Sequence, residues 1–362
     1  MTTNGTFIIG ARTLPPPLRT ASDMNAQWND DVELDFDTAA ERIIQTHKRD
    51  GAANDLPITD LKTWVIAPHE GQFALLPLAR HHAPKLLRSN AFSNLMTRIG
   101  APADFIRRLP APLQLASTNF LLAEHGETSS ATLRLRGAEV SAIVSGRYAP
   151  LDPAELLDTV RESLVRFDLL SEVRVRGVAT GLVDNLRLIL PSEEVAVKLG
   201  DVSNIGIDIS TSSFGRSAIH ISPIVWRLVC RNGLRSPERR GQHQLSFRHV
   251  GDSDRLRAGI AEAIPAALTH ARGLMTAWQR AVTFMVEDVQ RQVDQMRELT
   301  NPERKAFEAE LTTESAALPE HVPLYSFLNA LTASAKKAVP ARRLELEGLA
   351  GELLVRHTGG AS

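Results

Sequence analysis

Val173-Arg174-Val175-Arg176, Leu186-Arg187-Leu188-Ile189-Leu190, Ile205-Gly206-Ile207-Asp208-Ile209 and Ala218-Ile219-His220-Ile221 decide how this chain folds. The runs are rich in β-branched residues and largely alternate apolar with polar, the two-residue period of a strand whose faces meet different surroundings. Gly181, Pro191, Gly200 and Gly215 punctuate them as turn residues do. Upstream, Thr132-Leu133-Arg134-Leu135-Arg136, Gly137 and then residues 140–144 read as a β-hairpin with arginines on one face. A helix over 153–167 lies between, capped by Asp152, with Leu156, Leu157, Val160 and Leu164 as its buried stripe. Residues 225–229 suit a further strand or a short helix, since five residues do not separate the two periods. One helix against a mostly antiparallel sheet is the simplest architecture, and the fold class is α+β.

Toward the N-terminus the pattern becomes helical from about residue 56 to 125. Ser89 or Asn90 is a cap for a helix through Phe92, Leu95, Met96 and Ile99. Gly100 is its stop, Pro102 starts the next, and Pro110 and Pro112 restart the chain before residues 113–122. Residues 1–55 hold Pro15-Pro16-Pro17, five acids between Asp30 and Asp37, and a helical piece over 38–47 that buries little beyond Ile43 and Ile44. They read as a flexible acidic arm. Toward the C-terminus, residues 254–299 read as long helix, interrupted at most by Pro265. Leu274, Trp278, Val282, Met285, Val289, Val293 and Met296 make one apolar stripe along it. Shorter helices follow over 302–317, 325–335 and 342–356. The expected organisation is an arm (1–55), an α+β core domain (56–250) and a helical C-terminal region (251–362).

The 362 residues, 43% apolar and 23% charged, suffice for one large or two ordinary domains with cores of their own. Cys230 is the single cysteine, which excludes an intrachain disulfide and a cysteine-based zinc site and fits a reducing compartment. Phe7-Ile8-Ile9 is too short for a signal-peptide core, and no later run is apolar enough to cross a bilayer, so a cytoplasmic protein without membrane contact is expected. Neither G-x-x-x-x-G-K-[ST] nor G-x-G-x-x-G occurs, and the adjacent pair His81-His82 points two ways rather than at one metal. Cys230 sits in an apolar run, and Ser213 and Ser217 lie in a loop without the second glycine of a hydrolase elbow. The expectation is a non-enzymatic protein with no cofactor, no metal and no catalytic residue.

Formal net charge is −1, yet residues 227–248 hold six arginines (Arg227, Arg231, Arg235, Arg239, Arg240 and Arg248) against one acid, Glu238. Three further pieces belong together: Ser145-Gly146-Arg147-Tyr148-Ala149-Pro150-Leu151-Asp152, residues 203–222, and Trp226-Arg227-Leu228-Val229-Cys230-Arg231-Asn232-Gly233-Leu234. With them the chain resembles the phage- and plasmid-borne bacterial proteins that carry one large domain of unknown function, the domain-of-unknown-function 932 type. Arg98-Ile99-Gly100-Ala101-Pro102 and Leu109-Pro110 upstream, and Phe327-Leu328-Asn329-Ala330-Leu331-Thr332-Ala333 downstream, extend the resemblance over most of residues 60–355. It implies a mobile genetic element as context. At the level of fold it implies a relation to the single-strand annealing proteins of phage recombination.

Annealing needs a basic groove for phosphates, groups that stack on bases, and assembly into rings or filaments. Arg227, Arg231, Arg235, Arg239, Arg240 and Arg248 are expected to supply the groove. Arg147 and Tyr148, with Phe247 or Trp226, would supply a cation and stacking, and the 274–296 stripe a homo-oligomer seam. Each has a structural alternative: Trp226 and Phe247 as core, Tyr148 packed over the start of the 153–167 helix, the stripe buried within the monomer, and a turn at Asn232-Gly233 that scatters the arginines. The expected function is a non-enzymatic single-stranded DNA binding or annealing protein. The alternative is an assembly or regulatory protein of a mobile element, acting through helix-mediated contacts.

Overall fold

The alternating runs pair edge to edge as their period requires. The computed structural model describes residues 15–24, 27–29, 33–79, 83–126, 130–228, 232–236, 245–313 and 318–359. The chain forms two compact units, Met1–Asp23 with Gly51–Tyr148, and Met24–Asp50 with Ala149–Ser362. First in the chain are β1 (Gln27–Asn29) and α1 (Phe36–Asp50), both in the second unit.

The first unit contains β2 (Ala53–Ile58), β3 (Trp64–His69), β4 (Gln72–Pro77), β5 (Lys85–Leu87), α2 (Ser89–Arg98), α3 (Ala103–Arg108), α4 (Ala111–His125), β6 (Ala131–Arg136) and β7 (Glu139–Ser145). Its sheet runs β2-β6-β7-β5-β4-β3, antiparallel except where β5 meets β7. The hairpin expected around residue 137 is β6–β7, turning at Gly137 with φ +57°. Residues 53–87 form strands for the most part, which corrects the helical reading of that stretch. Phe73-Ala74-Leu75 is an unbroken buried run that periodicity does not separate from helix, and β3 and β4 turn on Glu70 and Gly71, both at positive φ. The three short helices follow in the expected order, with Gly100 at φ +69° just past the first. Asn119 of α4 covers the edge strand β3: its Oδ1 accepts the Ile66 N–H at 2.7 Å and its Nδ2 donates to the Ile66 carbonyl at 2.8 Å.

The second unit continues with α5 (Pro153–Arg166), β8 (Arg174–Thr180), β9 (Asp184–Lys198), β10 (Asp201–Thr211), β11 (Ile219–Arg227), β12 (Asn232–Arg235) and β13 (Leu245–Phe247). Helix α6 (Ser253–Arg280) is followed by β14 (Met285–Val286), α7 (Val289–Gln295), α8 (Asn301–Leu311), β15 (Val322–Pro323), α9 (Leu324–Ala335) and α10 (Pro340–Thr358). The main sheet is antiparallel, ordered β1-β8-β9-β10-β11-β12 with β13 also on β11, so residues 225–227 are strand. Alternate residues of β9, β10 and β11, among them Leu188, Ile207 and Ile221, share a core with α1, α5 and α6. Helix α1 is docked there through buried Phe36 and Ile43, and His47 Nε2 lies 2.8 Å from Asp184 Oδ2 of β9. Against the far strand β12 lie α9 and α10.

The expected helix over 254–299 is α6, then a strand, then α7. Helix α6 passes through Pro265, which has no N–H for the Ala261 carbonyl; Ser163 of α5 supplies the donor instead, Oγ to O at 2.7 Å. Leu274, Trp278, Val289, Val293 and Met296 are buried in the unit's own core, while Met285 is exposed. That corrects the homo-oligomer seam expected over 274–296, because the stripe is already covered from within the chain. Among the described residues no helix is long and apolar enough to cross a membrane.

Candidate nucleic-acid interface

Strand β7 ends in a tight turn, closed by the Tyr148 N–H donating to the Ser145 carbonyl at 2.9 Å. Gly146 fits there because its backbone runs against Ser130: its N–H donates to the Ser130 carbonyl at 2.8 Å, and a Cβ would stand 2.2 Å from Ser130 Oγ. Arg147 is exposed at the turn and Tyr148 is half-buried. The Arg134 guanidinium carbon is 5.4 Å from the Tyr148 ring centroid, and Arg134 itself is buried with its Nε donating to Asp55 Oδ1 at 3.1 Å. An exposed cation therefore adjoins a ring steadied by a buried one.

Of the groove arginines, Arg227, Arg235 and Arg248 lie among the described residues, and two of them are engaged by acids. Arg227 ends β11 and makes a two-pronged pair with Asp201, Nε to Oδ1 at 2.7 Å and Nη2 to Oδ2 at 2.5 Å. Burial pushes the Asp201 carboxyl up, but the hydrogen bonds and charge of Arg227 outweigh it and leave the pKa below the usual carboxylate value. The Tyr325 hydroxyl, buried beside Asp201, is held well above its ordinary value. Arg235 is buried in β12, its Nη2 donating to Ser222 Oγ at 2.9 Å and its Nε 3.2 Å from Asp208 Oδ2. A phosphate would have to displace these carboxylates, so neither side chain is available to a groove as the sequence reading required. Arg248 is exposed; Arg231, Arg239 and Arg240 lie outside the described residues.

Trp226 and Phe247 serve the interior. Trp226 is buried with the Arg187 guanidinium carbon 4.9 Å from its ring, and Phe247 packs so closely on α6 that a Cβ on Gly259 would stand 2.9 Å from the ring.

Sequence reading missed the charged centre of the second unit. Arg187, with no exposed surface, donates to Asp208 at 2.7 Å from both Nε and Nη2, and to Glu347 of α10 at 2.5 Å from Nη2. Arg343 Nε donates to Glu347 Oε1 at 3.0 Å. Burial alone would lower the Arg187 pKa, but the two carboxylates raise it above its ordinary value; burial alone would raise that of Glu347, and Arg187 and Arg343 hold it down. A signal existed in part: Arg343 and Glu347 stand four apart on one helix, and Arg187 and Asp208 interrupt apolar strands. Among the described residues no group of His, Cys, Asp and Glu could hold a metal ion.

The fold and this centre define an α+β protein whose larger unit is an antiparallel sheet between helices, locked by a buried ionic network. The family model described as Domain of unknown function (DUF932) matches residues 140–346, more than half of the chain, and the chain belongs to that family. No curated protein and no solved structure matches it.

Proposed function

We propose that this protein binds single-stranded DNA without catalysing a reaction, as an annealing or strand-holding protein of a phage or plasmid. The supporting observation is the 145–148 turn, where exposed Arg147 stands next to a partly exposed Tyr148 ring held by Arg134. A single strand is gripped by cations on its phosphates and aromatic faces on its bases, and this turn offers one of each. Arg227 and Arg235 are left out of the proposed contact because Asp201 and Asp208 already neutralise them.

Titrating a labelled oligonucleotide at several salt concentrations tests the reading. Affinity should fall as salt rises, and Arg147→Ala should make the log–log slope shallower by about 0.7, the share of one phosphate contact on a single strand. Binding indifferent to salt, or no binding at low salt, would rule the reading out.

A further inference from the structure

Helix α4 carries apolar side chains on its outward face as well as on the face it buries. Gln114 and Thr118 are fully buried, and Gln114 spends its amide on backbone, Oε1 accepting the Leu18 N–H at 2.7 Å and Nε2 donating to the Arg107 carbonyl at 3.1 Å. Leu122 completes that buried stripe, and apolar residues line the opposite face as well: Phe120 is 64% exposed and Leu113 49%, with Ala116 and Ala123 exposed between and beyond them. Phe105 of α3, 52% exposed, adds to the apolar surface just before α4. Residues 111–123 carry no charged side chain. A helix that docks by one face alone carries polar side chains on the other, and an exposed apolar stripe of this kind marks an interaction site.

We infer that this face pairs with the same face of a second copy of the chain, α4 against α4, antiparallel about a two-fold axis. Positions 113, 116, 120 and 123 recur at three, four and three, the spacing of a two-helix seam, and alternate large with small. In an antiparallel pair centred near residue 118, Leu113 of one copy meets Ala123 of the other and Ala116 meets Phe120. Every layer then holds one large and one small side chain. A parallel pair would set Phe120 on Phe120 and alanine on alanine, overfilling some layers and emptying others. Charge agrees with the antiparallel choice. Exposed Arg108 precedes the seam and exposed Glu124 follows it, so each copy's Glu124 comes to the end where the other's Arg108 lies. A contact made by the same patch on both copies closes on itself as a dimer.

A helix of 15 residues spans about 22 Å, so the interface is small and the dimer should dissociate in the micromolar range, about 1–100 μM. Sedimentation velocity of the full chain across that range should show a monomer–dimer equilibrium. Phe120→Glu and Ala116→Trp alter exposed positions and should each leave a monomer with an unchanged circular dichroism spectrum. Arg108→Glu should weaken the dimer, and adding Glu124→Arg should restore it. A wild type that stays monomeric throughout, or a dimer untouched by Phe120→Glu, would overturn the proposal. So would a monomer that dimerises only after residues 1–14 are removed, since the face would then belong to that segment.

Discussion

Arg187 is surrounded by groups that only make sense together. Asp208 and Glu347 neutralise it, Arg235 and Arg343 lean on the same carboxylates, and Trp226 covers its guanidinium. Removing one member of a buried charged set leaves the others desolvated without compensation, typically at about 3–5 kcal/mol. Glu347→Ala is therefore expected to lower unfolding free energy by about that amount in urea titration. A loss within about 0.5 kcal/mol would mean that the set is solvated in solution. Glu303 carries a different prediction. The hydrogen bond from Arg342 brings its pKa from 4.5 down to about 2, helped by the Thr300 N–H it accepts at the start of α8. A carboxylate depressed in the folded state contributes stability that is complete above its unfolded value and is lost as pH falls through the folded one. The stability gap between wild type and Glu303→Gln should accordingly shrink as pH drops from 4.5 toward 2, read by thermal melts at each pH.

Elements of this chain were legible where period and punctuation coincide. The helix Pro153–Arg166, the hairpin β6–β7 and the four sheet strands all carry apolar spacing bounded by Gly, Pro or an Asp cap, and each formed where that spacing placed it. Strand β4 was not legible, because its fully buried run Phe73-Ala74-Leu75 looks the same in either geometry. Nor was the end of α6, since the stripe kept its three-and-four spacing past Arg280 while the chain did not stay helical. Pro265 supplies a sharp test of how α6 survives. Ser163→Ala should cost about 1 kcal/mol by leaving the partly buried Ala261 carbonyl without this donor. The cost should largely vanish in a Pro265→Ala background, where residue 265 regains its own donor, so a double-mutant cycle must show coupling. Val289→Glu, at a buried position, should unfold the second unit rather than release a folded monomer, and circular dichroism with light scattering separates those outcomes.

At the scale of the molecule, the division between units falls after Tyr148, inside the stretch that reads from sequence as one core domain. Strands β6 and β7 pair with β2 and β5, contacts between residues up to about eighty positions apart that local periodicity does not carry. Helix α1 joins the second unit for a similar reason, because Phe36 and His47 find partners far along the chain. The candidate site divides in the same way. Its arginines were legible as residues, but Arg227 and Arg235 are matched to acids of β10, Asp201 and Asp208, that lie one and two strands away in the sheet rather than nearby in sequence. Among the described residues, the proposed strand contact rests on Arg147 with Tyr148. Stacking of one base on an aromatic ring is worth roughly 1–3 kcal/mol, about tenfold or more in affinity. Anisotropy titration of a labelled single-stranded oligonucleotide at low salt, with wild type, Tyr148→Phe and Tyr148→Ala side by side, puts that contact to the test. Phe keeps the stacking face and should bind like wild type, whereas Ala should lose about tenfold or more. A folded Ala variant that binds as tightly as wild type would contradict the proposed strand path at this turn.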